Sequence, residues 1–457
     1  MFEKLLASLF GPRKASGDDG QAFATLDRHA PLRAAPAPPA PADSEPEASP
    51  GYLCRETVLG RDQRVAGYQF MLHEGTRNRI RTGSRRIHHA YAEVLVRNIA
   101  QLDIGRLLGH RHAYLDVPDS FLDHPSIAGL PPANTVLVII PVDDGASPAA
   151  TALAASVQRL RQAGYQIGVP EAAMAGALAC LVPAVDFVVV DAANTDPGRL
   201  KAVAEGLHGA GGAPALLARE LPSQDDFQLC FALGATRFQG PFITRREDWR
   251  GRRLGPNTAR LADLIARLRR DADTHELVAL LKQDAALSLR LMRYINSAAV
   301  GLHGPVASIE QALLQLGRDK LCRWLMLLMY GADAGSARAA AVLENALVRA
   351  RLMELLGEGR SARERDALFL VGLLSLVDVI LQVPIQEAMA SLATAPEIEA
   401  AVVREEGPMA DLLRVAIACE RGNPEALAAA AEHCGIVPAV ANRRHLDAFA
   451  WALELDA

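Results

Sequence analysis

Eight short β-type runs alternate with helical stretches across residues 52–242, and after Trp249 the β pattern stops. The runs fall at 53–58, 67–72, 113–117, 136–140, 166–169, 187–190, 215–217 and 236–238. Ala- and Leu-rich stretches such as 149–163 and 198–207 lie between them. Strands alternating with helices imply a largely parallel sheet with crossover helices. About eight strands over roughly two hundred residues point to a closed, TIM-like α/β barrel rather than an open sheet. From Asn257 onward the pattern is nearly all helical, so an all-α part follows, with a boundary expected near 246–256. The expected division is 1–50, 51–245 and 246–457.

Within the helical part, 284–317 reads as two helices with a fixed joint. Leu287, Leu291 and Ile295 recur at steps of four, which puts them on one inward face. Asn296 and Ser297 close the first helix and 301–305 form a turn. Ser308 with Gln311 makes a capping box for the second, and Gly317 ends it. Ser361 with Glu364, and Thr394 with Glu397, have the same spacing.

The N-terminal segment is different. Phe2, Leu5, Leu6, Leu9 and Phe10 form one apolar stripe on a short helix over 1–11, stopped by Gly11-Pro12. Two uses fit it: docking on its own protein, or contact with a partner groove or membrane surface. The Ala-, Pro- and Ser-rich tail that follows is too poor in large apolar residues to order itself and reads as a disordered linker. No signal peptide is expected, because the apolar core of this segment is short and follows Glu3.

Composition excludes several classes. The 457 residues are 50% hydrophobic and 22% charged, with net charge −5 and pI ≈ 6.2, so no global attraction to nucleic acid or anionic membrane is expected. The six cysteines are scattered without a C-x-x-C pair, which argues against a zinc ribbon or disulfide framework and suits the cytoplasm. P-loop, G-x-S-x-G and Rossmann fingerprints are absent. One basic cluster stands out: Arg77, Arg79, Arg81, Arg85 and Arg86 form a candidate grip for phosphate or an acidic partner, weighed against a solvated loop.

On a barrel of this kind, functional groups sit at the carboxyl ends of the strands. The segments there, GYQFML, YQIGVPE, VDFVVVD, LLARELP and TRFQGPF, resemble the EAL domain, a bacterial barrel that binds and hydrolyses cyclic di-GMP. The resemblance covers about residues 52–245 and implies a worn site. The family's metal-ligand glutamate falls on Gln69 and its asparagine on Asp116. The fourth-strand glutamate falls on Ile139, and the paired aspartates on Pro170 and Glu171. The catalytic lysine falls on Val189, while Asp191 is kept. The two strand-seven glutamates fall on Arg219 and Pro222, and the Gln-Gly pair survives as Gln239-Gly240. Two-metal hydrolysis needs hard anionic oxygens, and an amide at 69 with an alkyl at 139 does not supply them. Gln69, Asp116, Glu171, Asp191 and Gln239 remain as candidates for residual nucleotide binding.

DAALSLRLMRYINSA, SIEQALLQLGRDKLCRWLMLLMY, FLVGLLSLVD and REEGPMADLLRVAIACERGN resemble the HDOD domain, a helical relative of HD hydrolases without their metal pattern, over about 256–425. The histidines after residue 250, His275, His303, His433 and His445, lack a following Asp and lack ligand spacing, so each is expected to be a surface or satisfied histidine. Together the resemblances imply a bacterial EAL–HDOD signalling protein with a degenerate barrel. Three roles follow: a non-catalytic adaptor or regulator that docks protein partners, a cyclic di-GMP receptor without hydrolysis, and last a residual phosphodiesterase. No metal, cofactor or nucleic acid is expected.

Overall fold

The structure, a computed structural model, describes residues 53–72, 84–101, 104–142, 148–175, 178–208, 214–296, 306–332 and 338–454. The expected N-terminal helix and linker, Arg77, Arg79, Arg81, Ser297, His303 and the expected turn at 301–305 lie outside the described residues.

Eight strands close a barrel in sequence order. They are β1 (Leu53–Gly60), β2 (Val65–Leu72), β3 (His112–Pro118), β4 (Thr135–Ile140), β5 (Gln166–Pro170), β6 (Phe187–Asp191), β7 (Ala215–Arg219) and β8 (Arg237–Gln239). β1 runs antiparallel to both β2 and β8, and the remaining pairs are parallel. All eight expected strands are present, shifted or extended by a residue or two. Helices α1 (Arg85–Gln101), α2 (Ile104–Leu108), α3 (Ala150–Gln162), α4 (Pro197–His208) and α5 (Gln224–Ala232) accompany them. On α1 the buried residues Ala92, Leu95, Val96 and Ile99 follow the helical period, so one face meets the barrel.

Side chains alternate across each strand, and one set fills the barrel. Val58, Tyr114, Val136, Val138, Phe187, Val189 and Leu217 form that core, with Ile140 against it. Gly240, after β8, has φ 149, and a Cβ there would come within 2.3 Å of the Leu221 nitrogen, so only glycine lets these two backbone segments approach.

The helical elements are α6 (Pro256–Arg269), α7 (Thr274–Gln283), α8 (Ala285–Ile295), α9 (Ile309–Leu316), α10 (Arg318–Ala332), α11 (Arg338–Leu356), α12 (Ala362–Leu374), α13 (Val377–Leu381), α14 (Ile385–Leu392), α15 (Pro396–Glu399), α16 (Pro408–Arg421), α17 (Pro424–His433) and α18 (Pro438–Glu454). Among the described residues the chain packs as two compact units. One holds residues 271–324, and the other holds the barrel with α6 and residues 325–454.

In the first unit Asp273 caps α7 and Asp284 caps α8 through the Leu287 amide at 2.9 Å. Leu291 and Ile295 are buried and Leu287 half-buried, as their spacing requires, and Tyr294 joins them to stack on Trp324 at 5.9 Å. The joint is held by Asn296, whose side chain bonds both the amide and the carbonyl of Val306. Ser308 caps α9 through the Gln311 amide at 3.1 Å, but the Gln311 side chain accepts from Ala307 rather than Ser308, so the box is half-formed. Gly317, at φ 76, ends α9.

In the second unit α11 and α12 pack closely: a Cβ on Gly372 would sit 2.5 Å from Ala350 Cα. Ser361 and Glu364 form a complete capping box. Thr394 does not cap. Pro396 occupies the first helical turn, which makes Ala395 the capping residue, and the Thr394 hydroxyl is left without a partner.

A buried polar cluster ties α11 to the barrel wall. Glu344, 2% exposed, accepts from the Tyr68 hydroxyl at 2.7 Å and from Arg111 at 3.0 Å. Arg55 lies 3.8 Å from the same carboxylate and over the Phe449 ring at 4.2 Å. The expectation of a surface or satisfied histidine fails for His445 on α18. It is buried, and neither ring nitrogen has a hydrogen-bond partner. Burial first, and the charge of Arg55 second, lower its pKa to about 3. This is a base held neutral in the folded state. Between its folded pKa and the ordinary value the unfolded chain binds the extra proton. Its stabilising contribution is therefore complete above the unfolded pKa and is lost as pH falls toward about 3. Denaturant titrations of the parent chain and His445→Leu should show the parent losing stability more steeply below neutral pH, by up to about 1.4 kcal/mol per pH unit. Identical slopes would contradict the assignment.

No helix among the described residues is long and apolar enough to cross a membrane.

Candidate functional site

The carboxyl ends of the barrel strands bring together most of the residues singled out in the sequence. Gln69 on β2 is fully buried, and its Nε2 donates to Asp116 Oδ2 on β3 at 3.3 Å. The other oxygen of Asp116 accepts from Arg219 Nη1, at the end of β7, at 2.7 Å. The Arg219 side chain is only 8% exposed and that of Asp116 30%. One carboxylate is thus bracketed by an amide and a guanidinium. Asp191, at the end of β6, is the ladder neighbour of Arg219 and accepts from Asn194 at 2.8 Å. Gln239, also fully buried, accepts from the Glu220 amide at 3.2 Å. Glu171 begins a turn after β5 and pairs with Arg199 at 3.0 Å.

The strand alternation corrects one placement. Val138 and Ile140, not Ile139, face the barrel interior, while Ile139 is buried on the outer face of β4. The inward positions are still alkyl, so the chemistry expected of that strand does not change. Val189, at the position implied for a catalytic lysine, is inside the barrel as expected.

The residues present do not fit a pair of divalent cations. A metal pair needs several uncompensated carboxylate oxygens converging on one point. Here Asp116 is neutralised by a buried cation, Glu171 is turned to Arg199, and Gln69 and Val138 carry no charge. No cluster of three His, Cys, Asp or Glu suited to a metal occurs among the described residues. Some hydrogen-bonding capacity is unused: Gln69 Oε1, Gln239 Nε2 and Arg219 Nη2 are buried without partners.

Of the basic cluster only Arg85 and Arg86 lie among the described residues. Arg85 lies on α1, where it pairs with the buried Asp119 and donates to the Val142 carbonyl at 2.7 Å, so it fixes the helix to the barrel instead of facing a ligand. Arg86 is exposed. The Asp116–Arg219 pair was not foreseen as a pair. A cation replacing an acid on one strand, with an acid kept on another, was the available signal.

Fold and site together define an eight-stranded α/β barrel carrying a charge-compensated mouth, followed by a helical region. Residues 258–411 match the family model of the HDOD domain, so the chain contains an HDOD domain. It is similar to "Cyclic di-GMP phosphodiesterase CdgJ" of Vibrio cholerae, with 24% identity over 79% of this chain and 83% of the relative. It is also similar to "Uncharacterized protein YuxH" of Bacillus subtilis, with 20% identity over 81% of this chain and 91% of the relative. Among solved structures it is similar to an EAL domain protein from Listeria monocytogenes, at 10% identity and a TM-score of 0.33, covering 43% of this chain and 88% of that one.

Proposed function

We propose that this chain is a non-catalytic signal-transduction adaptor or regulator whose EAL-like barrel and HDOD helices serve as docking surfaces for protein partners. The observation that carries the reading is the Arg219–Asp116 pair: a buried guanidinium stands where hydrolysis would need an acid, and it occupies the nearest carboxylate. Gln69 completes the arrangement, because an amide supplies dipoles and not the charge a metal requires. The name of the Vibrio cholerae relative weighs on the other side, since it is that of a phosphodiesterase.

A second reading, a cyclic di-GMP effector that binds without cutting, is favoured by the unpartnered Gln69 Oε1 and Gln239 Nε2 and by the ligand implied in that relative's name. Amides of this kind hydrogen-bond a guanine edge or a phosphate. Isothermal titration calorimetry of the full chain with cyclic di-GMP separates the two. The adaptor reading expects no saturable heat at micromolar ligand. Heat saturating at one site would replace it with the effector reading.

A further inference from the structure

Within the larger unit a cavity of about 740 Å³ lies outside the Asp116–Arg219 network. The start of β1, the residues after β8, α11 and α16 all contribute to its walls. Three observations point to what covers it.

The first is the chemistry of the wall. Met71, Leu72, Ile243, Leu376, Leu413 and Ile417 line the cavity, from the barrel rim and the helices alike. Arg349, buried in the same wall, already donates to Glu420 at 3.1 Å and to Ser375 at 2.8 Å, so it calls for no charged occupant. A pocket of small-ligand size with such a wall is stabilised by apolar side chains entering it.

The second is where the described chain begins. β1 starts at Leu53, and the next residue, Cys54, is in the cavity wall. Residues 1–52 therefore join the fold at the edge of the cavity.

The third is the sequence of that segment. Phe2, Leu5, Leu6, Leu9 and Phe10 make one apolar stripe, and an Ala-, Pro- and Ser-rich linker over 11–52 joins it to β1. Treated as a flexible coil, a linker of this length has a root-mean-square span of roughly 35 Å, ample to fold back on a wall at which it starts. It also holds the stripe at an effective concentration on the order of millimolar, so even a weak contact is largely made.

From these we infer that the apolar stripe of residues 2–10 docks in this cavity of its own chain. Exposed charges of both signs line the cavity, Glu405 and Arg421, and Glu3 and Lys4 between the stripe residues are likewise of both signs. Glu220 and Gly240, which directly follow Arg219 and Gln239, line the cavity too, so the docked segment sits beside the barrel mouth. This docking holds whether or not the barrel is catalytic.

The test places a photo-crosslinking benzophenone side chain in place of Phe10 in the full chain, irradiates it and maps the adducts by mass spectrometry. They should be intramolecular and fall on the cavity wall, chiefly Met71, Leu413 and Ile417. Leu5→Asp with Leu9→Asp should lower their yield about ten-fold or more, because two apolar side chains leave the contact. Ile417→Asp, at a half-buried wall position, should do the same with its fold checked by circular dichroism. If that variant unfolds, the stripe variant alone decides. Adducts at the exposed Leu289, Leu314 or Val437, adducts only between copies of the chain, or no adducts would each overturn the assignment. So would a yield unchanged by Leu5→Asp with Leu9→Asp.

Discussion

Replacing Glu344 by alanine is expected to destabilise the protein by about 3–5 kcal/mol, because it strands two buried cations. Glu344 is the shared acid of Arg55 and Arg111 and the acceptor of the Tyr68 hydroxyl, all inside the packed face between α11 and the antiparallel β1–β2 pair. Its removal leaves the Arg111 and Arg55 charges in a poor dielectric and the Tyr68 hydroxyl without its acceptor. Glu344→Gln should cost less, since the amide oxygen still accepts a bond, but the charge balance is lost. Urea unfolding of both variants measures the difference. A loss below about 1 kcal/mol for the alanine variant, the size of an exposed pair, would mean that the cluster is hydrated or rearranged.

The second large effect concerns the mouth. Arg219→Glu puts a carboxylate against Asp116 and beside Asp191, in place of the cation that now pairs with Asp116 at 2.7 Å. In the presence of a chelator the variant should lose about 2–4 kcal/mol, from the lost partner and the new like-charge contact. Three acids at one barrel end are also a better cation site than the parent's. Millimolar Mg²⁺ or Mn²⁺ should therefore recover part of the loss, by about 2.7 kcal/mol at a hundred times the dissociation constant. The parent chain should show no such recovery. Thermal melts with and without chelator read both effects. A parent chain stabilised by either metal to the same degree would mean that Arg219 does not exclude cations.

The barrel was legible in the sequence because strand and helix have different periods and punctuation, and every expected strand appeared. The core face of α8 was legible for the same reason, since Leu291 and Ile295 are both buried. Other features failed for identifiable reasons. After Thr135 the strand is apolar throughout, so nothing from Val136 to Ile140 marks which residues point inward, and the family register falls on Ile139 although Val138 and Ile140 face the interior. Thr394 had the spacing of a cap, but Pro396 moved the helix start by one residue. Arg85 looked like part of a loop cluster, and its pairing with Asp119 depends on where α1 begins. The polar contacts that define the site and the cluster are long-range: Asp116 and Arg219 are 103 residues apart, and Tyr68 and Glu344 are 276 apart. Neither spacing leaves a pattern in a single sequence. What the sequence did carry was the substitution of types, a glutamine at 69 and an arginine at 219, and the structure brings both onto one carboxylate.

One assay tests the non-catalytic reading most directly: incubation of the purified chain with cyclic di-GMP and Mg²⁺ or Mn²⁺, with chromatography of the products. No linear dinucleotide above the buffer control is expected. Metal-dependent turnover that Asp191→Ala abolishes would contradict the account and make the barrel an enzyme.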